Sequence, residues 1–271
     1  MRQFILFFLL LFCFSTYSQI DSSAKKENIP RRIYNDATDV GKAIFYTYQR
    51  PFYWKKKNWL TFGGVVGVSF ASSFLDQEAS DFFQRNQSKF LDPFADAGDF
   101  IGQPEHQGPF LATLWGLGIL VNNDWMRETG SMIAASMATS GLLTAFGKEA
   151  FGRARPSKGE GSTSFKLFAG KEYHSLPSAH TTLSISSAWI LARQIKPLAL
   201  KIPFYAVPLV VGWSRVYDNA HWLSDVVVSS ALGIACAEAV IQYYSLIEKK
   251  DNRTSWIIMP SNNGLSVIYQ F

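Results

Sequence analysis

A chain of 271 residues that is 48% apolar and 15% aromatic has room for one large domain with tails, and its composition excludes a disordered or collagen-like protein. Its 26 basic and 21 acidic residues leave a formal charge of +5, without the concentrated basic stripe expected of a nucleic-acid binder. An anionic small molecule or lipid is compatible with that surplus, provided a few cations converge on one spot.

Residues 1–19 read as a secretory signal peptide, with Arg2 before an apolar run from Phe4 to Phe14 and then Ser15, Thr16, Tyr17 and Ser18. Export across the inner membrane, to the periplasm or cell envelope, is the expectation; an uncleaved anchor is the alternative. Cys13 leaves with the signal, so Cys236 remains alone and no internal disulfide can form. Residues 20–57 are polar and mixed, with Pro30-Arg31-Arg32 and Lys55-Lys56-Lys57, and read as a partly ordered lead-in.

Six helix-like apolar runs follow: Trp59–Leu75, Phe110–Val121, Ser131–Phe146, Thr181–Ala192, Phe204–Trp213 and Val226–Tyr244. Their Ala, Gly, Ser and Leu content suits close helix packing, and they predict an all-α bundle of about six core helices within a domain over residues 58–248. In the tail, residues 249–271, two β-type runs flank Pro260-Ser261-Asn262-Asn263-Gly264 and predict a short hairpin. The longest uncharged run, Trp59–Leu75, would span only about 26 Å as a helix against a hydrocarbon core of about 30 Å. With a mean hydropathy of +0.03, this favours a bundle lying wholly beyond the membrane, soluble or membrane-associated.

Three stretches carry candidate chemistry. In Lys148-Glu149-Ala150-Phe151-Gly152-Arg153-Ala154-Arg155-Pro156, Lys148 and Arg155 are two helical turns apart and suit a tetrahedral oxyanion, although a basic helix end serves the macrodipole equally. In Leu176-Pro177-Ser178-Ala179-His180, Ser178 reads as the N-cap of a helix whose first turn holds His180; such a helix start binds anions. In Ser214-Arg215 through His221 to Asp225, the four-residue spacing would put His221 and Asp225 on one helix face. The carboxylate could then orient the imidazole, or the two could be a solvated pair. His106 and His174 fall outside these stretches; His174 is close enough to His180 in sequence to line the pocket, although a surface or loop role is the preferred reading. Phe82, Phe83, Phe90 and Phe94 could line an apolar approach or belong to the core.

Together the three stretches resemble the signature of the type 2 phosphatidic acid phosphatase and vanadium haloperoxidase superfamily. Lys148 to Pro156 matches Lys, six residues, Arg-Pro. Pro177 to His180 matches Pro-Ser-Gly-His, with Ala179 in place of glycine. Ser214-Arg215, His221 and Asp225 match Ser-Arg, five residues, His, three residues, Asp. The resemblance implies a helical phosphatase needing no metal or other cofactor. In it Lys148, Arg155, Ser178 and Arg215 would hold the phosphate, His221 would attack phosphorus, Asp225 would orient His221, and His180 would protonate the leaving oxygen. The substrate would be a phosphomonoester or (pyro)phosphate, possibly of a lipid. A vanadium-dependent haloperoxidase on the same site, or a non-catalytic envelope protein retaining the fold, are the competing readings.

Overall fold

The computed structural model describes residues 28–251, with side chains through 248, and the backbone of 255–261 and 264–270. The segment read as a signal peptide lies outside the described residues. The body is all-α. Among the described residues, nine helices follow one another: α1 (Ile29–Gln49), α2 (Lys56–Ser73), α3 (Asp76–Arg85), α4 (Asp92–Gly102), α5 (Pro104–Leu120), α6 (Asp124–Phe151), α7 (Ala179–Gln194), α8 (Leu198–Tyr217) and α9 (Leu223–Asp251). After them the backbone of Ser255–Ser261 (β1) pairs antiparallel with Gly264–Gln270 (β2).

The core lies where α6, α7 and α9 meet, around Ile133, Ala135, Ile190, Leu191, Ala237 and Val240. Small residues set the spacing. A Cβ added to Gly233 of α9 would stand 2.7 Å from the Thr182 carbonyl of α7, so these two backbones are nearly in contact. Cys236, on the same stretch of α9, is 3% exposed.

Residues 29–49, read in the sequence as part of a polar lead-in, form α1 and pack on α6 and α9. Pro30 starts this helix well because its ring presets φ and its missing N–H is not needed there. Arg32, Asp36, Ala43 and Thr47 share its buried face. The polar members find partners: Asp36 accepts from the Trp115 indole at 2.8 Å and pairs with Arg127. A polar composition thus hides a helix that buries two of its charges, Arg32 and Asp36, in the bundle.

The helix α2 is the reverse case. Of its 18 residues only Ser69 is buried, while Trp59, Leu60, Phe62, Val66, Val68 and Phe70 are exposed. It rests along α9 and turns through 53° into α3. Beyond Lys56 and Lys57 this helix carries no charge, and touching the bundle on one side it leaves apolar surface that water does not favour. Phe82, Phe90 and Phe94, on α3 and around the start of α4, are also exposed rather than core. Leu223–Glu248 of α9, with a mean hydropathy of 1.6, is long and apolar enough to cross a membrane, and the bent α2–α3 pair passes the same measure as one broken span.

Candidate active site

The C-terminal ends of α6 and α8 and the N-terminal ends of α7 and α9 all arrive at one end of the bundle. A cavity of about 280 Å³ opens there, lined by Lys148, Arg155, Lys171, His174, Ala179, His180, Arg215, Ala220 and His221. The sequence thus placed five of its seven candidate residues on one wall; Ser178 and Asp225 sit behind it.

Lys148 and Arg155 meet by a different route from the one their spacing suggested. The helix stops at Phe151, capped by Gly152 in the left-handed region at φ 56°. A side chain is impossible at this position, because its Cβ would lie 2.0 Å from the Lys166 carbonyl. Beyond the turn Arg155 is extended ahead of Pro156, as a residue before proline must be, and its guanidinium donates to the Ala220 carbonyl at 3.3 Å. The Lys148 ammonium donates to the His174 carbonyl at 2.6 Å. Burial, and then the neighbouring Arg155, lower the Lys148 pKa to about 8.

Ser178 caps α7 as predicted, but its hydroxyl is turned into the helix. It accepts from the Thr181 amide at 3.4 Å and the Thr181 hydroxyl at 3.1 Å, and the residue is fully buried. A side chain used as a cap points back along its own helix. What faces the cavity is the helix start itself. The first intrahelical bond runs from Thr182 to the Ser178 carbonyl, which leaves the amides of Ala179 and His180 ahead of it. Ala179 is the first helical residue, with ordinary negative φ, so alanine fits where the signature has glycine.

The His221–Asp225 pair also differs from expectation. The helix begins at Leu223, so His221 stands on the preceding turn and the shared-face argument does not apply. The imidazole Nδ1 lies 2.6 Å from the Ser175 carbonyl and 3.9 Å from the Asp225 carboxylate. A carbonyl only accepts, so Nδ1 carries the proton and the Nε2 lone pair is free. Burial, reinforced by Lys148 and Arg155, holds the His221 pKa well below the ordinary histidine value and keeps the ring neutral. Asp225 instead accepts from Arg153 at 2.6 Å, the Ser175 hydroxyl at 2.5 Å and the Trp222 amide at 3.0 Å.

Asp99, Asp218 and Lys171 escaped the sequence reading. Asp99 of α4 stands 2.5 Å from Arg215 and 3.4 Å from His180 Nε2. It reaches them because Gly98 and Gly102 flank it: a Cβ at Gly98 would lie 2.7 Å from Ser214, and one at Gly102 2.9 Å from His180. Arg215 is also held by Asp218 at 2.7 Å. His174, on the loop that leads to α7, lines the cavity 3.0 Å from the Glu149 carboxylate. Lys171 adds a fourth cation at the rim. Among the described residues, no group of three or more His, Cys, Asp or Glu side chains is arranged to hold a metal ion.

Residues 130–249, which contain all three stretches, match the sequence profile of the PAP2 superfamily. The match covers less than half of the chain. Its fold agrees with two solved structures: Aquifex aeolicus LpxE (TM-score 0.52, 21% identity, 62% of this chain and 96% of that one) and a transmembrane PAP2-type phosphatidylglycerolphosphate phosphatase of Bacillus subtilis (0.51, 18%, 79% and 98%). Among curated proteins the chain is similar to lipid A 1-phosphatases. That of Porphyromonas gingivalis is 31% identical over 117 residues, 41% of this chain and 24% of that one. That of Rhizobium etli is 34% identical over 107 residues, 38% and 45% respectively. The matched segment thus spans less than half the length of these relatives.

Proposed function

We propose that this chain is a metal-independent phosphatase that cleaves a lipid phosphate ester or diphosphate through a phosphohistidine on His221. The observation that carries the reading is the convergence of Lys148, Arg155 and Arg215 with His180 and His221 around one cavity. Three fixed cations and two open helix amides supply the charge stabilisation that phosphoryl transfer chiefly demands. The Nε2 lone pair of His221 attacks phosphorus while the bond to the leaving oxygen breaks and His180 gives that oxygen its proton. Water then attacks phosphorus, returns a proton to His180, and the P–N bond breaks to release phosphate.

His180 limits this cycle. Burial, then Arg215, lower its pKa to about 4, whereas Asp99 and Glu105 raise it and Lys148 lowers it further. An entering phosphate dianion pulls it upward, as any close anion does. Asp99→Asn removes one of the supporting negative charges, so His180 should lose its proton at lower pH. We expect the alkaline limb of the kcat–pH profile to move to lower pH in Asp99→Asn; a limb that stays in place refutes this role for Asp99.

A membrane-associated protein acting on lipid accounts for the exposed apolar faces. The spans would be α9 and the bent α2–α3 pair, and the exposed Phe82, Phe90 and Phe94 fall near the site-bearing end. The lysines at 55–57 mark the opposite end of α2, about 27 Å away along the helix axis, beside a cluster of Trp54, Trp59 and Phe62. Aromatic rings and lysines at one end are the pattern of a cytoplasmic membrane interface. That orientation puts the cavity on the far side, in keeping with an exported site.

The test is phosphate release by the full chain, in detergent micelles, from a lipid phosphate, a lipid diphosphate and a water-soluble phosphomonoester. Release from the lipid substrates, undiminished by a chelator and blocked by vanadate, is the expected result. Activity lost to the chelator and restored by a divalent metal would remove the metal-independent claim, and a preference for the soluble ester would remove the lipid one.

A further inference from the structure

We infer that Asp76 is a positioning residue of this site, acting on Asp225 through Arg153; the inference rests on the phosphatase reading above. Asp76 opens α3, far in sequence from the three motif stretches, yet it is fully buried against the start of α9. Its Oδ2 takes a hydrogen bond from Arg153 at 2.6 Å and from the Ser224 hydroxyl at 2.6 Å, and its Oδ1 takes the Ser224 amide at 2.8 Å. The same guanidinium donates through Nη1 to Asp225 at 2.6 Å and to Ser224 at 2.8 Å. From Asp225 the contacts continue through the Ser175 hydroxyl, and the Ser175 carbonyl holds His221.

Two consequences follow from this arrangement. The first concerns charge. Arg153 alone would neutralise Asp225 and cancel its field where His221 becomes cationic on phosphorylation. Asp76 brings the buried triplet of two carboxylates and one guanidinium to a net charge of −1, so the stabilising field persists. The second concerns position. Asp76 receives a first-turn amide of α9, so it caps the helix that carries Asp225, from an element at the end of the apolar α2. A structural staple would explain the burial. It would not tie Asp76's effect on turnover to the presence of Asp225.

The test compares Asp76→Asn, Asp76→Glu, Asp225→Asn and the Asp76→Asn/Asp225→Asn double variant of the full chain in detergent. It measures kcat and KM on a lipid phosphate and the inhibition constant of inorganic phosphate. Asp76→Asn should lower kcat by about 30-fold, the range typical of groups one shell out from the chemistry. KM and the phosphate constant should stay within about twofold, because Lys148, Arg155 and Arg215 are untouched. Asp76→Glu should recover part of the loss, and Asp76→Asn should cost less than about threefold once Asp225 is Asn.

Wild-type kcat in Asp76→Asn, a loss shared with phosphate binding, or additive losses in the double variant would each overturn the inference. Should Asp76→Asn fail to fold, Ser224→Ala takes its place, removing two hydrogen bonds and no charge. There a kcat-selective loss of about threefold to tenfold supports the inference, and an unchanged kcat overturns it. A wild-type chain that releases no phosphate from any lipid phosphate would overturn the phosphatase reading and this inference with it. An active wild type with an unaffected Asp76→Asn would overturn this inference alone.

Discussion

Replacing His221 by alanine is expected to lower phosphate release by about 10⁴-fold or more, the scale seen when a nucleophile is removed from an intact binding site. No neighbouring group can take its place. His180 is the other imidazole of the proposed pair, but its Nε2 faces Asp99, which also holds Arg215. The variant should keep its phosphate affinity, because the cations stay where they are. Brief mixing of the wild type with labelled lipid phosphate should leave an acid-labile phosphate on the protein, and His221→Ala should leave none. Turnover retained in that variant would end the phosphohistidine mechanism.

Asp225→Asn should be the second most damaging substitution, lowering kcat by about 10³-fold while the protein still folds. The reason differs from the familiar one. All three partners of Asp225 are donors: the Arg153 guanidinium, the Ser175 hydroxyl and the Trp222 amide. Asparagine keeps the shape but turns one oxygen into an NH2 group, so a donor must meet a donor in a fully buried place. It also removes a negative charge 3.9 Å from the imidazole that becomes cationic. Thermal unfolding and the phosphate inhibition constant separate this from general collapse: the melting temperature should fall while a single cooperative transition persists, the phosphate constant should change little, and a variant with wild-type kcat would show that the carboxylate is dispensable.

The helices that carry the motifs were legible because their apolar runs are long and uninterrupted, and the chemistry was legible because Lys148, Arg155, Arg215, His180 and His221 keep fixed spacings. What stayed hidden depends on contacts between distant segments. The helix α1 is polar in sequence, yet two of its charges, Arg32 and Asp36, are buried in the bundle, where Asp36 pairs with Arg127. The helix α4 is short, and nothing local marks Asp99; only its flanking glycines hint at close packing. Arg153 and Arg155 sit two residues apart in one basic stretch, and only the fold sends the first to buried carboxylates and the second to the cavity. The His221–Asp225 spacing was read as helical, but the helix starts between the two residues, at Leu223.

The burial of Cys236 makes the chain a ready reporter of its own sidedness. With this thiol enclosed between helices and Cys13 replaced by serine, a membrane-impermeant maleimide applied to whole cells should find nothing to react with. A single cysteine introduced at exposed Phe168, beyond the site-bearing end of α6, and another introduced at Phe52, just before the lysine cluster, would then answer independently from the two ends of the bundle. Labelling of the first and protection of the second is the pattern that the charge distribution along α2 requires.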